Sequence, residues 1–508
     1  MASPTGLLAL PPEIILYICH MLIPYQTDRP SNYSPKQLAF FSRTCKQVNQ
    51  IATPVLYSRF IAPPSMPVCL KFLTSVCRHP ELGEFVQQLS FRFCSGPMER
   101  IDHHAIYFEA AARLGVELGS RPRAHPFQTL TQLIMGHTPN VRTINVFADQ
   151  FILTPNTSST VMDQLAKKRM YLWKMERLVV QHFYATSVPI EHYAPIVILS
   201  PRLRQLVVEP SSPLEHPWKQ PSDLPYLSAV RRLILNLGSL DRDQMRRIVH
   251  ACGPLELFEH VYSMVCFGSR PSVTPAEMVQ ILQRHAGTLL GLKLDLVWRN
   301  RETPVAFYAG NLCMEGEQIQ SLKAFSCLEE LELDGSCFLF PDRNDEYYHE
   351  YVFTQLLPSS IRIFEITVAL PGTVENLRTL AQSASQFPYL ERVRMENELL
   401  CPTLMHNVFF IWQDVTAVER MMRKAGIYFV NKCSLIGIPP TPSPSIGDAT
   451  DTESAYFESS DFGPDESDDD GSDADGSGDD ESDVDVDDID MPDAEGLNAN
   501  GSDADTAP

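Results

Sequence analysis

One short pattern, written again and again, constrains this chain more than any other feature: an apolar residue, two variable residues, an apolar residue, one variable residue, an apolar residue. It stands at Val141-Ile144-Val146, Leu203-Leu206-Val208, Val230-Leu233-Leu235, Leu289-Leu292-Leu294, Leu328-Leu331-Leu333, Ile361-Phe364-Ile366 and Leu390-Val393-Met395, with weaker copies at Val86-Leu89-Phe91 and Met175-Leu178-Val180. The end of each copy alternates with period two, which predicts a short strand. From Ile144 onward the middle residues stand 27 to 39 residues apart except for one gap of 59. A degenerate copy centred on Phe258 would split that gap, at the cost of placing His260 where an apolar residue belongs.

Helical patterns fill the intervals. Asp241 to Cys252 is stopped by Gly253-Pro254, Ala276 to His285 is another, and Val374 to Ala384 follows Pro371-Gly372-Thr373. A strand and a helix in every unit predict an α/β chain built as an irregular leucine-rich-repeat-like solenoid over 68–437. Each unit has one apolar face and gains its partner by stacking, so parallel strands line a concave face and helices lie outside. The alternative is an ordinary α/β domain whose strands share the pattern. A helix over Val415 to Lys424, a stop at Ala425-Gly426 and a strand at Ile427 to Val430 would end the array.

Charge is unevenly placed. The net charge is −22, but 24 of the 63 acidic residues and none of the 41 Lys and Arg lie from Asp448 onward. The body, with 39 acids against 41 bases, is close to neutral and gives no electrostatic case for a nucleic-acid groove. Residues 438–508 therefore read as a disordered tail, Pro-rich and then acidic, because nothing apolar offsets the ordering entropy. Ser467, Ser472, Ser477 and Ser482 each precede an acid by three residues, the pattern of acidophilic casein-kinase-type enzymes, and are candidate phosphorylation sites. The tail alternatively only solubilises the chain, or contacts basic partners such as histones.

Catalytic motifs are absent: no G-x-S-x-G, no H-E-x-x-H, no phosphate-binding glycine loop. The twelve cysteines show no metal-ligand spacing, and the adjacent histidines of Asp102-His103-His104 diverge on a helix. We expect no enzyme, no metal and no cofactor. Gly6 to Tyr25 is interrupted by Pro11 and Pro12 and carries Glu13 and His20, so no membrane segment is expected.

The N-terminal stretch 7–57 has a different character. Pro11 and Pro12 open a helix in which Ile14, Ile18 and Leu22 form an apolar stripe. Ser34-Pro35-Lys36-Gln37 forms a capping box before a second helix with Leu38, Phe41, Cys45 and Val48 at helical spacing. Two such short helices cannot bury enough surface alone. Leu10-Pro11-Pro12-Glu13-Ile14, followed by Leu38-Ala39-Phe40-Phe41-Ser42-Arg43-Thr44-Cys45-Lys46, Asn49, Ala52, Pro54 and Leu56-Tyr57, resembles an F-box, particularly those of fungal F-box proteins. The link from Ile23 to Tyr33 is longer than that family usually has.

The resemblance implies a substrate-recognition subunit of a Skp–cullin–F-box type ubiquitin ligase. Leu10, Pro11, Ile14, Ile18, Leu38 and Cys45 would then lie on or just under a surface facing the Skp adaptor, and a linker at 58–67 would lead to the array. The residue between the last two apolar positions of each strand should face a protein substrate: Asn145, Val179, Val207, Ile234, Lys293, Glu332, Glu365 and Arg394, with Glu330 and Asp334 adding to an acidic patch. The expected partners are the adaptor, through it a cullin–RING ligase, and an unknown protein substrate, in cytoplasm or nucleus. The alternative is a repeat-based scaffold or histone-chaperone-like protein in which the first helices only cap the array.

Overall fold

A computed structural model describes residues 10–23, 36–62, 66–91, 104–118, 126–147, 161–182, 193–210, 225–236, 240–261, 273–295, 316–338, 352–367, 369, 372–397 and 408–433. All belong to the unit Met1–Pro439. Twelve strands form one sheet: β1 Arg59–Ala62, β2 Gln88–Phe91, β3 Thr143–Phe147, β4 Arg177–His182, β5 Gln205–Pro210, β6 Arg232–Leu235, β7 Leu257–Val261, β8 Gly291–Asp295, β9 Glu330–Leu333, β10 Ile363–Ile366, β11 Arg392–Asn397 and β12 Tyr428–Cys433. They lie side by side in chain order and every pairing is parallel. Parallel neighbours need a crossover, and helices are found in most of the intervals.

Among the described residues three helices precede the sheet: α1 Pro12–Met21, α2 Lys36–Ser42 and α3 Lys46–Tyr57. The array then carries α4 Met66–Arg78, α5 Pro80–Phe85, α6 His104–Leu114, α7 Pro126–Gly136, α8 Val161–Lys167, α9 Ala194–Leu199, α10 Arg242–Ala251, α11 Pro275–Leu282, α12 Val352–Leu356, α13 Thr373–Gln382 and α14 Val408–Lys424. Capping fixes where several of these begin. Asp241 and Gln244 close a reciprocal capping box on α10, and Thr274 with Glu277 does the same for α11. Among the described residues no helix is long and apolar enough to cross a membrane.

The repeated pattern explains the stacking. The two apolar strand positions point to one side, as Leu331 and Leu333 do at β9, and join a single core with the apolar faces of the helices. The first apolar residue of each copy, such as Val141, Leu203 or Leu328, is buried just before its strand. Beside it, one backbone carbonyl receives two N–H donors from the next unit: Arg142 O from Glu176 and Arg177, Glu176 O from Arg204 and Gln205, Arg204 O from Arg231 and Arg232. Repetition of that bond locks the register, so equivalent residues of successive units form straight rows.

Two expectations change here. Residues 58–67 are not a simple linker, because Arg59–Ala62 is the first strand of the sheet and pairs with β2. Tyr57 ends α3, Ser58 O accepts from Gln87 N and Gln88 N, and the Phe72 ring stacks with those of Tyr57 and Phe60. The helical unit therefore runs into the sheet without an intervening loop. The second helix of 7–57 is also two helices, α2 and α3, broken at Cys45. That residue is extended, with φ −160° and ψ 164°, and its Sγ accepts from Val48 N as the N-cap of α3.

Units approach closely at glycine. A Cβ on Gly253 would lie 2.1 Å from the Ser228 carbonyl oxygen, and one on Gly83 equally close to that of His137. Backbone cannot yield as a flexible side chain can. Gly253→Ala is expected to lower unfolding free energy by about 1–3 kcal/mol, read from urea melts. Unchanged stability would mean that the two units slip past each other without strain.

Candidate protein-binding surfaces

The three N-terminal helices close a small core of their own from Ile15, Cys19, Ile23, Leu38, Val48, Ala52 and Val55. Helix α1 is apolar nearly all round, so this core takes one side and leaves another. Ile14 is 45% exposed, Leu16 40%, Tyr17 63% and Met21 57%, and Phe40 on α2 is 67% exposed. Apolar side chains held in water on a unit that has already closed its core make this face a candidate surface for another protein.

The candidate adaptor residues separate accordingly. Ile14 and Pro11 are exposed, and Ile18 is half-buried. Leu10 is half-buried and packs against the small core. Leu38 is wholly buried in that core, which puts it under the surface rather than on it. Cys45 is half-buried and holds the start of α3. Leu16, Tyr17, Met21 and Phe40 were missed by the reading of one stripe at four-residue spacing. The signal for Leu16 and Tyr17 was the unbroken apolar run Ile14-Ile15-Leu16-Tyr17-Ile18, which has more apolar surface than one stripe can bury. The Ser34 capping box and most of the link 23–33 lie outside the described residues.

The candidate substrate residues form a single row across the sheet. Register sets Asn145 beside Val179, then Val207, Ile234, Glu259, Lys293, Glu332, Glu365, Arg394 and Val430. Ser90 and Ile61 continue it to the first strand. Glu259 belongs to the degenerate copy at Phe258, which is β7. These side chains point away from the core face, at a strand spacing of about 4.8 Å.

The row is not uniform. Val179 and Val207 are buried, 5% and 1% exposed, which corrects their assignment as accessible contacts: apolar side chains at these positions are withdrawn from water. Ile234 and Asn145 remain half-buried. From β7 onward the row is an ion-pair ladder. Lys293 Nζ lies 3.4 Å from the Glu259 carboxylate and 3.2 Å from that of Glu332. Arg394 binds Glu365 at 3.2 Å and also Glu396, whose carboxylate lies 3.8 Å from Lys432.

Burial works against the charge of Lys293, but Glu332 and Glu259 outweigh it and hold its ammonium above the usual pKa. Glu332 is pushed up, first by burial and then by the like charges of Glu365 and Glu259, against the pull of Lys293. The asymmetry follows from position: the lysine has two carboxylates for one charge, whereas Glu332 shares its lysine and meets two carboxylates. Asp334 does not extend this patch. It is fully buried, and its carboxylate accepts from Ser336 N at 2.7 Å, capping the 3-10 turn Gly335–Cys337.

Asp102, His103 and the serines at 467, 472, 477 and 482 lie outside the described residues. Among the described residues no three His, Cys, Asp or Glu side chains come together as a metal site. Compared with known proteins, the chain matches no family model and no curated relative.

Proposed function

We propose that the chain is the substrate-recognition subunit of a Skp–cullin–F-box type ubiquitin ligase. Its first three helices dock on the Skp adaptor, and its array, read as an irregular leucine-rich-repeat-like solenoid, holds a protein substrate for the cullin–RING ligase. The reading gives the chain no reaction of its own and places it in the cytoplasm or nucleus. One observation carries it. A helical unit with a closed core keeps Ile14, Leu16, Tyr17, Met21 and Phe40 in water, and the sequence that builds this unit resembles an F-box. The direct run from α3 into β1 supports it further, because a docked N-terminus would then hold the array in a fixed direction.

Point variants on the exposed face test this better than a deletion through residue 60, which would remove Arg59 and Phe60 of β1. Tyr17→Ala/Phe40→Ala is expected to weaken co-purification with a Skp adaptor at least about tenfold, since large buried aromatics dominate interface energies. Phe108→Ala, which trims an exposed ring on α6, should leave it unchanged. Capture of the double variant at wild-type strength would show that this face is not the docking surface.

A further inference from the structure

The end of the sheet where the strands begin carries a feature the receptor reading does not use. Spanning the starts of β3 to β7 is a half-open cleft of about 570 Å³. Its walls are Arg177, Arg204, Arg231 and Arg232, with Glu176 and Glu256 among them. Thr143 and Gln205 complete the lining. Thr143, Arg177, Gln205 and Arg232 are register partners at the first positions of β3 to β6. They share a face with Asn145, Val179, Val207 and Ile234 two residues further on. The remaining four lining residues immediately precede their strands.

The charge here is not balanced from within. Arg231 pairs with Glu256 at 3.1 Å. Arg177, Arg204 and Arg232 are exposed and, among the described residues, have no carboxylate partner. Further along the same edge the arrangement is the opposite: Arg362 is closed between Glu391 at 2.7 Å and Glu329 at 3.4 Å. Arg142, whose backbone carbonyl accepts from Glu176 N and Arg177 N of the lining, is also exposed. Like charges on neighbouring strands repel, so this cluster costs stability that an anionic ligand would return.

We propose that the cleft binds an acidic peptide segment of a partner protein. The guanidinium fork matches a carboxylate with two parallel N–H donors. Glu176 and Glu256 separate this site from one for nucleic acid. A polyphosphate backbone carries a charge at every nucleotide and would meet both glutamates, whereas a peptide can set a neutral or basic residue beside each. Thr143 and Gln205 supply a hydroxyl and an amide for a peptide backbone. A volume of this order takes a short segment. The inference names the substrate class for the receptor reading and rests on that reading only in calling the peptide a substrate.

The test is fluorescence anisotropy on the full chain with a labelled Glu-Gly-Glu-Gly-Glu-Gly peptide, its Gln-Gly counterpart and a single-stranded oligouridylate of equal charge. The acidic peptide is expected to bind saturably and more weakly as salt rises, with the neutral peptide failing. Arg177→Gln/Arg204→Gln/Arg232→Gln should weaken binding at least about tenfold. Lys71→Gln/Arg78→Gln/Arg420→Gln removes as much positive charge from exposed sites elsewhere and should change it less than about twofold. Wild-type binding by the cleft variant, equal binding of the neutral peptide, or tighter binding of the oligouridylate would each overturn the proposal. Adaptor capture by the cleft variant is read alongside. Failure of peptide binding with capture intact refutes the cleft alone, and capture of the Tyr17→Ala/Phe40→Ala variant at wild-type strength with peptide binding intact refutes the helical face alone.

Discussion

Phe353→Ala is expected to destabilise the protein by about 3–5 kcal/mol, the range for deleting a buried ring. Phe353 is fully buried on α12, a helix of five residues. A helix that short has no stability of its own, so it is held by what it packs on. Its ring meets Phe338 edge to face at 5.2 Å and Phe364 of β10 at 5.0 Å. The helix ends are fixed from outside: Val352 N donates to Asn376 Oδ1, and Leu356 O accepts from Leu322 N. Removing the ring leaves a cavity where consecutive units meet. In an array whose units touch mainly their neighbours, the loss should open this region before the rest. Hydrogen exchange should accelerate first in β9 to β11, and Phe353→Leu should recover much of the stability. A loss below about 1 kcal/mol would mean that the Phe338–Phe353–Phe364 contact is not what joins these units.

Period-two alternation was enough to locate β2 to β6 and β8 to β11, because each buries two apolar residues behind a third. It failed at β1, where Phe60 and Ala62 are the only inward residues and the prolines that follow suggest a joint. It wavered at β7, where His260 occupies an apolar place. In α1 four-residue spacing had to choose between stripes that the sequence makes almost equal: Ile14 is exposed and Ile18 half-buried, whereas Ile15 and Cys19 fill the core. Spacing alone could not see the break at Cys45, since Leu38, Phe41, Cys45 and Val48 keep helical intervals across it. The outward row was legible because parallel register aligns the same position of every repeat. Its ion pairs were not, because they depend on which strands are neighbours and on Glu259, hidden in the weakest copy. The cleft shows the same limit. Arg177, Arg204 and Arg231 recur at equal intervals in the sequence, yet Arg177 opens β4 while Arg204 and Arg231 stand one residue before their strands. Only the folded register makes them one wall.

His260 gives the second large effect, a loss of stability in acid. Its side chain points into the core from β7, between its register partners Leu235 and Leu294. Burial pushes its pKa down to about 4, although a hydrogen bond with Leu235 O at 2.9 Å favours the protonated ring. With no carboxylate as its strand neighbour to receive a charge, the imidazole is neutral and Nδ1–H donates to that carbonyl. The unfolded chain binds a proton near the ordinary value of about 6.5. Between about pH 6.5 and pH 4 the unfolded state therefore holds more protons than the folded one, and stability falls as pH falls. At about 1.4 kcal/mol per pH unit the full loss from His260 is about 3 kcal/mol. His137 and His285 are also lowered by burial and act in the same direction. His285 is held in one tautomer, Nε2–H donating to Val249 O while Nδ1 accepts from Leu255 N. His260→Gln keeps a donor for Leu235 O but does not titrate. Urea melts across this window should show a clearly flatter decline for the variant, the residual slope combining the other two histidines with the opposing contribution of Glu332, whose pKa is raised. Parallel profiles for variant and wild type would place the acid sensitivity outside the β6–β7–β8 core, and with it the view that this weakest copy of the repeat is a proton-sensitive joint in the array.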